Sequence, residues 1–318
     1  MPLSKGNKRI LLAAGIGILA LFVFGFIFGA IGSSLFGSEK FLPKPEVHLP
    51  PQPILEADAK EAEHGGLPSN RFILTSTLLS SWVTTIVLIL IFFLATRRTN
   101  PDRAPRGLQN LMEGLVSAMY DFVESVSGPK NARRFFPLFA TIFLFVVMNA
   151  WLGLLPFYPS LGFTVDGAFF TGEPLARHLL RPAGTDLNMP LALALISFVF
   201  VEFWGIRILG WRYFGKFFRF GALLHGKIFQ GFVDIFVGLL ELLSEVVRII
   251  SFTFRLFGNM TAGEILMLIT AFLIPFVFSL PFYGLELLVG FIQGLIFAGL
   301  TLVFVTIAVT PHEAEEEH

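Results

Sequence analysis

The chain has 318 residues, no cysteine, and matched charges, with Lys plus Arg and Asp plus Glu at 23 each. Hydrophobic residues make up 54% and charged residues only 14%, against about 25% charged in soluble domains. This composition excludes a soluble globular enzyme, disulfides, thiolate metal centres and a cysteine nucleophile, and the zero net charge supplies no basic field for nucleic acid.

What remains is a polytopic helical membrane protein. No G-x-x-x-x-G-K-[ST] phosphate loop occurs, so no nucleotide cofactor is expected, and no metal site is singled out. The first apolar run, Ile10 to about Leu35, follows Lys5, Lys8 and Arg9 and is long enough to span. It exceeds the roughly 7–15 apolar residues of a signal peptide, although Ala30-Ile-Gly32 could mimic a cleavage site, and a retained helix is expected. Residues 37–70 form a Pro-rich, acidic segment with Pro43, Pro45, Pro50, Pro51 and Pro53, whose first half cannot be regular helix.

Phe72 to Thr96 is a second span, closed by Arg97 and Arg98. The stripe Leu108, Leu111, Leu115, Met119, Phe122 and Val126 has helical spacing, with Gln109, Glu113, Asp121 and Glu124 away from it. It predicts an amphipathic helix lying on the membrane surface or on a partner helix. Phe135 to about Phe157 is the third span, ended by Pro156 and Pro159, and residues 158–186 are expected to form a loop. Leu187 to Ile206 is the fourth span, carrying Glu202; the following Arg207, Trp211, Arg212, Tyr213, Lys216 and Arg219 suit an interfacial anchor rather than a nucleic-acid patch.

From Gly221 to about Leu273 the chain stays largely apolar, which as one helix is about 80 Å, far beyond a bilayer core of about 30 Å. This fifth span must be steeply tilted, partly on the surface, or broken. Pro275 and Pro281 mark a turn, and Phe282 to about Val309 is a last long helix before the acidic tail Glu313–Glu317. The expected fold is an all-α membrane protein with about six membrane helices, two of them long and tilted at the C-terminal end, and one interfacial helix. Residues 1–70 form an N-terminal extra span with an outer segment, and residues 71–318 form the core. With the N-terminus inside, the only outer cations are Lys40, Lys44, Lys60, Arg71, Arg177 and Arg181, so the excess of positive charge places both termini in the cytoplasm.

One charge stands out. Arg255 lies within an apolar helical run, where an arginine costs about 2.5–3.5 kcal/mol on insertion scales and marks a functional site by default. At 100° per residue Ser251 and Asn259 share its face, Arg248 and Glu241 stay near it, and Glu264 points about 180° away. On the last helix Glu286 and Gln293 share a face, and Gly290 and Gly294 permit close approach of a neighbouring helix. An internal salt bridge of Arg255 with Glu241 or Glu245 is one reading. Several ionisable groups on two adjacent long helices favour an ion pathway. Physics alone leaves a transporter, a channel and a rotary stator open.

Arg255-Leu-Phe-Gly-Asn-Met-Thr-Ala-Gly-Glu264 resembles the signature of subunit a of F-type ATP synthases. From about residue 70 onward, Ala118-Met-Tyr-Asp-Phe-Val, Gly128-Pro-Lys-Asn-Ala-Arg-Arg-Phe-Phe-Pro137, Leu152-Gly-Leu-Leu-Pro156 and Thr185-Asp-Leu-Asn-Met-Pro are similar to family segments in the same order. The resemblance implies a non-catalytic, proton-conducting stator subunit of a bacterial plasma membrane complex, without a cofactor. Its partners would be a ring of c subunits, peripheral stalk b subunits and the lipid bilayer. It implies that Arg255 is the essential arginine separating two half-channels, and that Glu264, Glu286, Gln293, Asn259, Ser251 and Glu241 match polar positions of the proton pathway. Three departures stand out: two carboxylates at Glu264 and Glu286 where many members pair a carboxylate with histidine, Ile249 where proline is common, and the extra N-terminal span. Two carboxylates in one site would share a proton or a water network. The alternative is a self-contained secondary transporter or channel, which should show repeated helix bundles; no internal repeat is seen.

Overall fold

The computed structural model describes residues 5–37, 52–55, 72–97, 107–163, 177–210, 213, 215 and 228–310. Most of the Pro-rich acidic segment, the basic aromatic segment apart from Arg207 and Tyr213, and the acidic tail lie outside the described residues. The elements in order are α1 (Lys5–Phe28), α2 (Ala30–Phe36), α3 (Ser76–Thr96), α4 (Leu108–Ser127), α5 (Pro129–Gly153), α6 (Phe157–Ser160), β1 (Gly162–Phe163), β2 (Arg177–His178), α7 (Asn188–Leu209), α8 (Ile228–Leu273) and α9 (Leu280–Val309), with short 3-10 turns at Ala183–Thr185 and Phe276–Ser279.

The all-α membrane architecture is borne out. Among the described residues, five helices are long and apolar enough to cross a membrane, at Asn7–Phe28, Ser76–Thr96, Pro129–Gly153, Asn188–Leu209 and Phe276–Val309. The fifth expected span, α8, is one unbroken helix of 46 residues, about 69 Å long. Apolar side chains on the spans remain open on one side: on α3, Ile86, Ile89 and Phe93 are each more than half exposed, as a lipid-facing surface requires.

Three features depart from the sequence-based expectations for local chemical reasons. The first span stops at Phe28 rather than running to Leu35, because Gly29 takes up an extended conformation (φ −72°, ψ 174°) and a second short helix begins. The third span begins at Pro129, six residues before Phe135, since a proline at the first helical position loses no intrahelical hydrogen bond. Gly128, with φ 75°, supplies the left-handed turn between α4 and α5. The expected loop 158–186 contains a small antiparallel pair, β1 with β2, in the register Gly162 to His178 and Phe163 to Arg177.

The described chain forms two compact units. The first draws on residues within 1–79, 150–185 and 259–290, the second on residues within 80–149, 186–258 and 291–318. In the first, the C-terminal end of α1 docks on the turn after α8. A side-chain carbon at Gly25 or Gly29 would collide with the carbonyls of Pro275 or Leu273, so only glycine allows this approach. Phe24 lies 6.0 Å from Phe276, whose φ of 73° is the one left-handed non-glycine backbone among the described residues.

In the second unit the core is aromatic and aliphatic: Phe135, Ile142, Val146, Leu256, Phe297, Leu302 and Val305 are almost fully buried. Phe122 packs 5.5 Å from Phe139 and Tyr120 5.4 Å from Phe136, so the C-terminal half of α4 rests on α5 as a partner helix. Polar pairs join helices within this apolar packing: Asn149 Nδ2 donates to Thr84 Oγ1 at 3.3 Å, and Ser197 bonds Thr301 at 2.7 Å.

Candidate functional site

In the first unit the site is built where the residues after β2 meet α8. Leu180, Arg181, Ala183, Gly184 and Thr185 are all buried. The turn is closed by Thr185 Oγ1 donating to the Pro182 carbonyl at 2.7 Å. Gly184 faces the Met260 side chain, and Gly153 leaves room for the Pro182 ring. Pinned in this way, Arg181 presents its guanidinium to Glu264 on α8. Nε donates to Oε1 at 3.0 Å and to Oε2 at 3.2 Å, and Nη2 donates to Oε2 at 2.7 Å. Two-oxygen engagement of a carboxylate by the planar guanidinium fork is among the stronger and more directional polar contacts.

Glu286, on α9, projects at Gly263, the residue beside Glu264. A side-chain carbon at position 263 would occupy the place of the Glu286 carboxylate. Among the described residues Glu286 makes no ion pair or hydrogen bond. Trp151 Nε1 donates to the Leu287 carbonyl at 3.0 Å, and Gly290 faces the Ala150 methyl, which sets this end of α9 close against α5. Asn259 also lies in this unit and is exposed.

The second unit holds Arg255. Its guanidinium is half-buried, lies 5.7 Å from the Phe252 ring, and donates from Nη2 to Ser251 Oγ at 3.4 Å. Phe252 is locked 4.9 Å from Phe297. The internal salt bridge considered for Arg255 is not formed: among the described residues it makes no ion pair. Glu245 instead pairs with Arg248, and Glu241 is exposed on α8. Gln293 is 2% exposed on α9, and the next residue, Gly294, abuts Val147 of α5, as the spacing of small residues predicts.

Arg248 is the centre of a second polar cluster. It pairs with Glu245, lies 3.8 Å from Glu202 Oε1, and sits 4.6 Å over the Phe304 ring. The Tyr213 hydroxyl donates to Glu202 at 2.9 Å, and its ring fills the space left by Gly205. Burial, and secondarily the Glu202 carboxylate, push the Tyr213 phenol well above its usual range, so it stays a neutral donor.

Sequence reasoning placed Glu264 and Glu286 correctly on two long helices but missed Arg181, which it counted as an ordinary outer-loop cation. The pairing spans 83 residues of sequence, and no helical periodicity connects a loop residue to a helix face. The one available signal was chemical: two carboxylates where a carboxylate and a histidine are usual leave an excess negative charge in need of a cation.

The chain matches the family described as ATP synthase A chain over residues 78–306. It is 34% identical over 275 residues to the ATP synthase subunit a of Mycobacterium tuberculosis, covering 83% of this chain and 98% of that protein. Against the ATP synthase subunit a of Gloeobacter violaceus it is 33% identical over 237 residues, 74% of this chain and 85% of the relative. Against that of Moorella thermoacetica it is 31% identical over 237 residues, 74% and 92%.

Proposed function

The chain belongs to the ATP synthase A chain family, and from that premise we propose that it is the proton-translocating stator of an F-type complex, with Arg255 separating two aqueous half-channels. The observation that carries this reading is the state of Arg255. It is a permanent cation on a mostly apolar helix, half-buried, with a serine and a ring beside it and no carboxylate from the described chain. A guanidinium placed so at membrane depth is costly unless a carboxylate comes from elsewhere. A ring of c subunits carrying one carboxylate each is the partner that meets this need, and peripheral stalk b subunits complete the complex.

In the mechanism, the Arg255 charge favours the ionised form of a ring carboxylate as it passes, so the proton leaves before that carboxylate reaches the arginine. The same positive charge repels a proton moving directly from one half-channel to the other. Each charge crossing 100 mV supplies about 2.3 kcal/mol, which rotation couples to ATP synthesis on other subunits. This subunit carries no catalysis of its own. Glu264 and Glu286 line one half-channel, supported by their proximity through Gly263. Ser251, Asn259, Gln293 and Glu241 are the further polar positions along the route. Residues 71–318 form the family core, and the preceding span is an addition to it. The complex sits in a bacterial plasma membrane, with both termini in the cytoplasm.

The test replaces Arg255 with Ala in the whole complex, reconstituted in vesicles. ATP-driven acidification should fall to background while the complex still assembles. Retained coupled pumping rejects the stator reading.

A further inference from the structure

The two channel carboxylates are not equivalent. Resting on the reading of Glu264 and Glu286 as half-channel groups, we propose that Arg181 is a positioning residue that holds Glu264 as a fixed anion, leaving Glu286 to hand over the proton.

The geometry differs sharply between the two. Both oxygens of Glu264 accept from Arg181, through three contacts of 2.7–3.2 Å. Arg181 itself is 5% exposed, and its backbone is fixed by the Pro182 turn against Gly153 and by Gly184 against Met260. For Glu264 to accept a proton, a charge-assisted fork must open and a buried guanidinium must lose its counter-charge. Glu286 has neither constraint. Among the described residues no donor or cation engages it, and its carboxylate end lies against Gly263. It is the flexible end of a side chain that can exchange its proton without first giving up an ion pair or hydrogen bond to the described residues.

This answers the departure noted in the sequence. Where two carboxylates replace a carboxylate and a histidine, one cation is needed to keep the pair from acting as two like charges. Arg181 supplies it, from a loop rather than from either helix. The arrangement converts a potential shared-proton dyad into one held anion and one carrier.

A double-mutant cycle tests the proposal, with the whole complex in vesicles and rates normalised to assembled complex on native gels. Arg181→Gln and Glu264→Gln should each cut ATP-driven acidification at least fivefold, since each leaves one member of the pair uncompensated. The double variant R181Q/E264Q should recover at least threefold over either single, because no unpaired charge remains. A salt bridge with only a structural role could give that recovery too, so the pH profile is the second readout. Among the described residues, Arg181 of the loop and Glu264 of α8 form the pair, and Glu286 of α9 lies at Gly263 beside it. In R181Q the half-maximal pH of pumping should shift away from that of the parent, returning to its original value in the double variant. No recovery in the double variant, or a profile unmoved in R181Q, overturns the proposal. Glu286→Gln serves as the control on the underlying reading. Full pumping in that variant rejects Glu286 as a channel group, and the proposal falls with it. Loss of pumping in E286Q together with an unmoved R181Q profile removes Arg181's role alone.

Discussion

Gly263 owes its identity to the neighbour across the helix pair: a side-chain carbon there would meet the Glu286 carboxylate. What it would meet is the far end of a flexible side chain, not backbone, so Gly263→Ala should leave helix packing intact and displace only the carboxylate. Small misplacements of a reacting group carry large kinetic costs, up to about a hundredfold for 1 Å. We expect Gly263→Ala to assemble normally and to pump several-fold more slowly in the vesicle acidification assay; wild-type rates would show that Glu286 does not work from this position. Arg248 belongs to the same scale with a different consequence. Held by Glu245 and close to Glu202, it is a buried pair whose removal strands a carboxylate, at a cost of about 3–5 kcal/mol. Arg248→Ala should lower the midpoint of thermal unfolding of the detergent-purified complex or reduce its yield, and an unchanged midpoint would show that the cluster is solvated. At this scale the sequence was partly legible. The stripe of Ser251, Arg255 and Asn259 follows from helical spacing, whereas the partners chosen by Arg248 and Glu264 depend on residues far away in the chain. Arg248 lies three residues from Glu245 and takes it, which is why Arg255, ten residues away, does not.

At the scale of elements, glycine and proline decided where sequence patterns held and where they broke. The apolar run Ile10–Leu35 reads as one span because hydropathy ignores backbone conformation; Gly29 then divides it. The same glycine and Gly25 let α1 dock on the carbonyls at the end of α8. Gly25→Leu should therefore undock α1 from the turn at Pro275 while leaving the apolar length of the helix unchanged. A cysteine pair placed on α1 and on that turn should cross-link in the parent and fail to do so in the variant; equal cross-linking would contradict the docking. The start of α5 at Pro129 was hidden for the opposite reason. Lys130, Arg133 and Arg134 look like a loop by charge, yet they extend the helix beyond its apolar part, with Arg134 stacked 5.6 Å over Trp204. Cations flanking a span continue the helix as readily as they end it. The β1–β2 pair left no trace in the sequence, since two residues per strand are too few for an alternating pattern.

At the scale of the whole molecule, the all-α membrane class followed from composition alone, and the long fifth and last helices followed from the length of their apolar runs. The path by which a loop reaches a helix did not, because it depends on packing of Gly153, Pro182 and Gly184 that no local rule encodes. The account rests on one claim, that Arg255 is the barrier between two half-channels as well as the partner of a passing carboxylate. Passive proton flux through the membrane sector measures that barrier directly. With the catalytic sector stripped and a potential imposed across vesicles, Arg255→Ala should conduct protons faster than the parent while ATP-driven acidification by the intact variant is lost. A variant that pumps normally, or that loses pumping with no rise in passive flux although both channel glutamates are in place, would contradict the account.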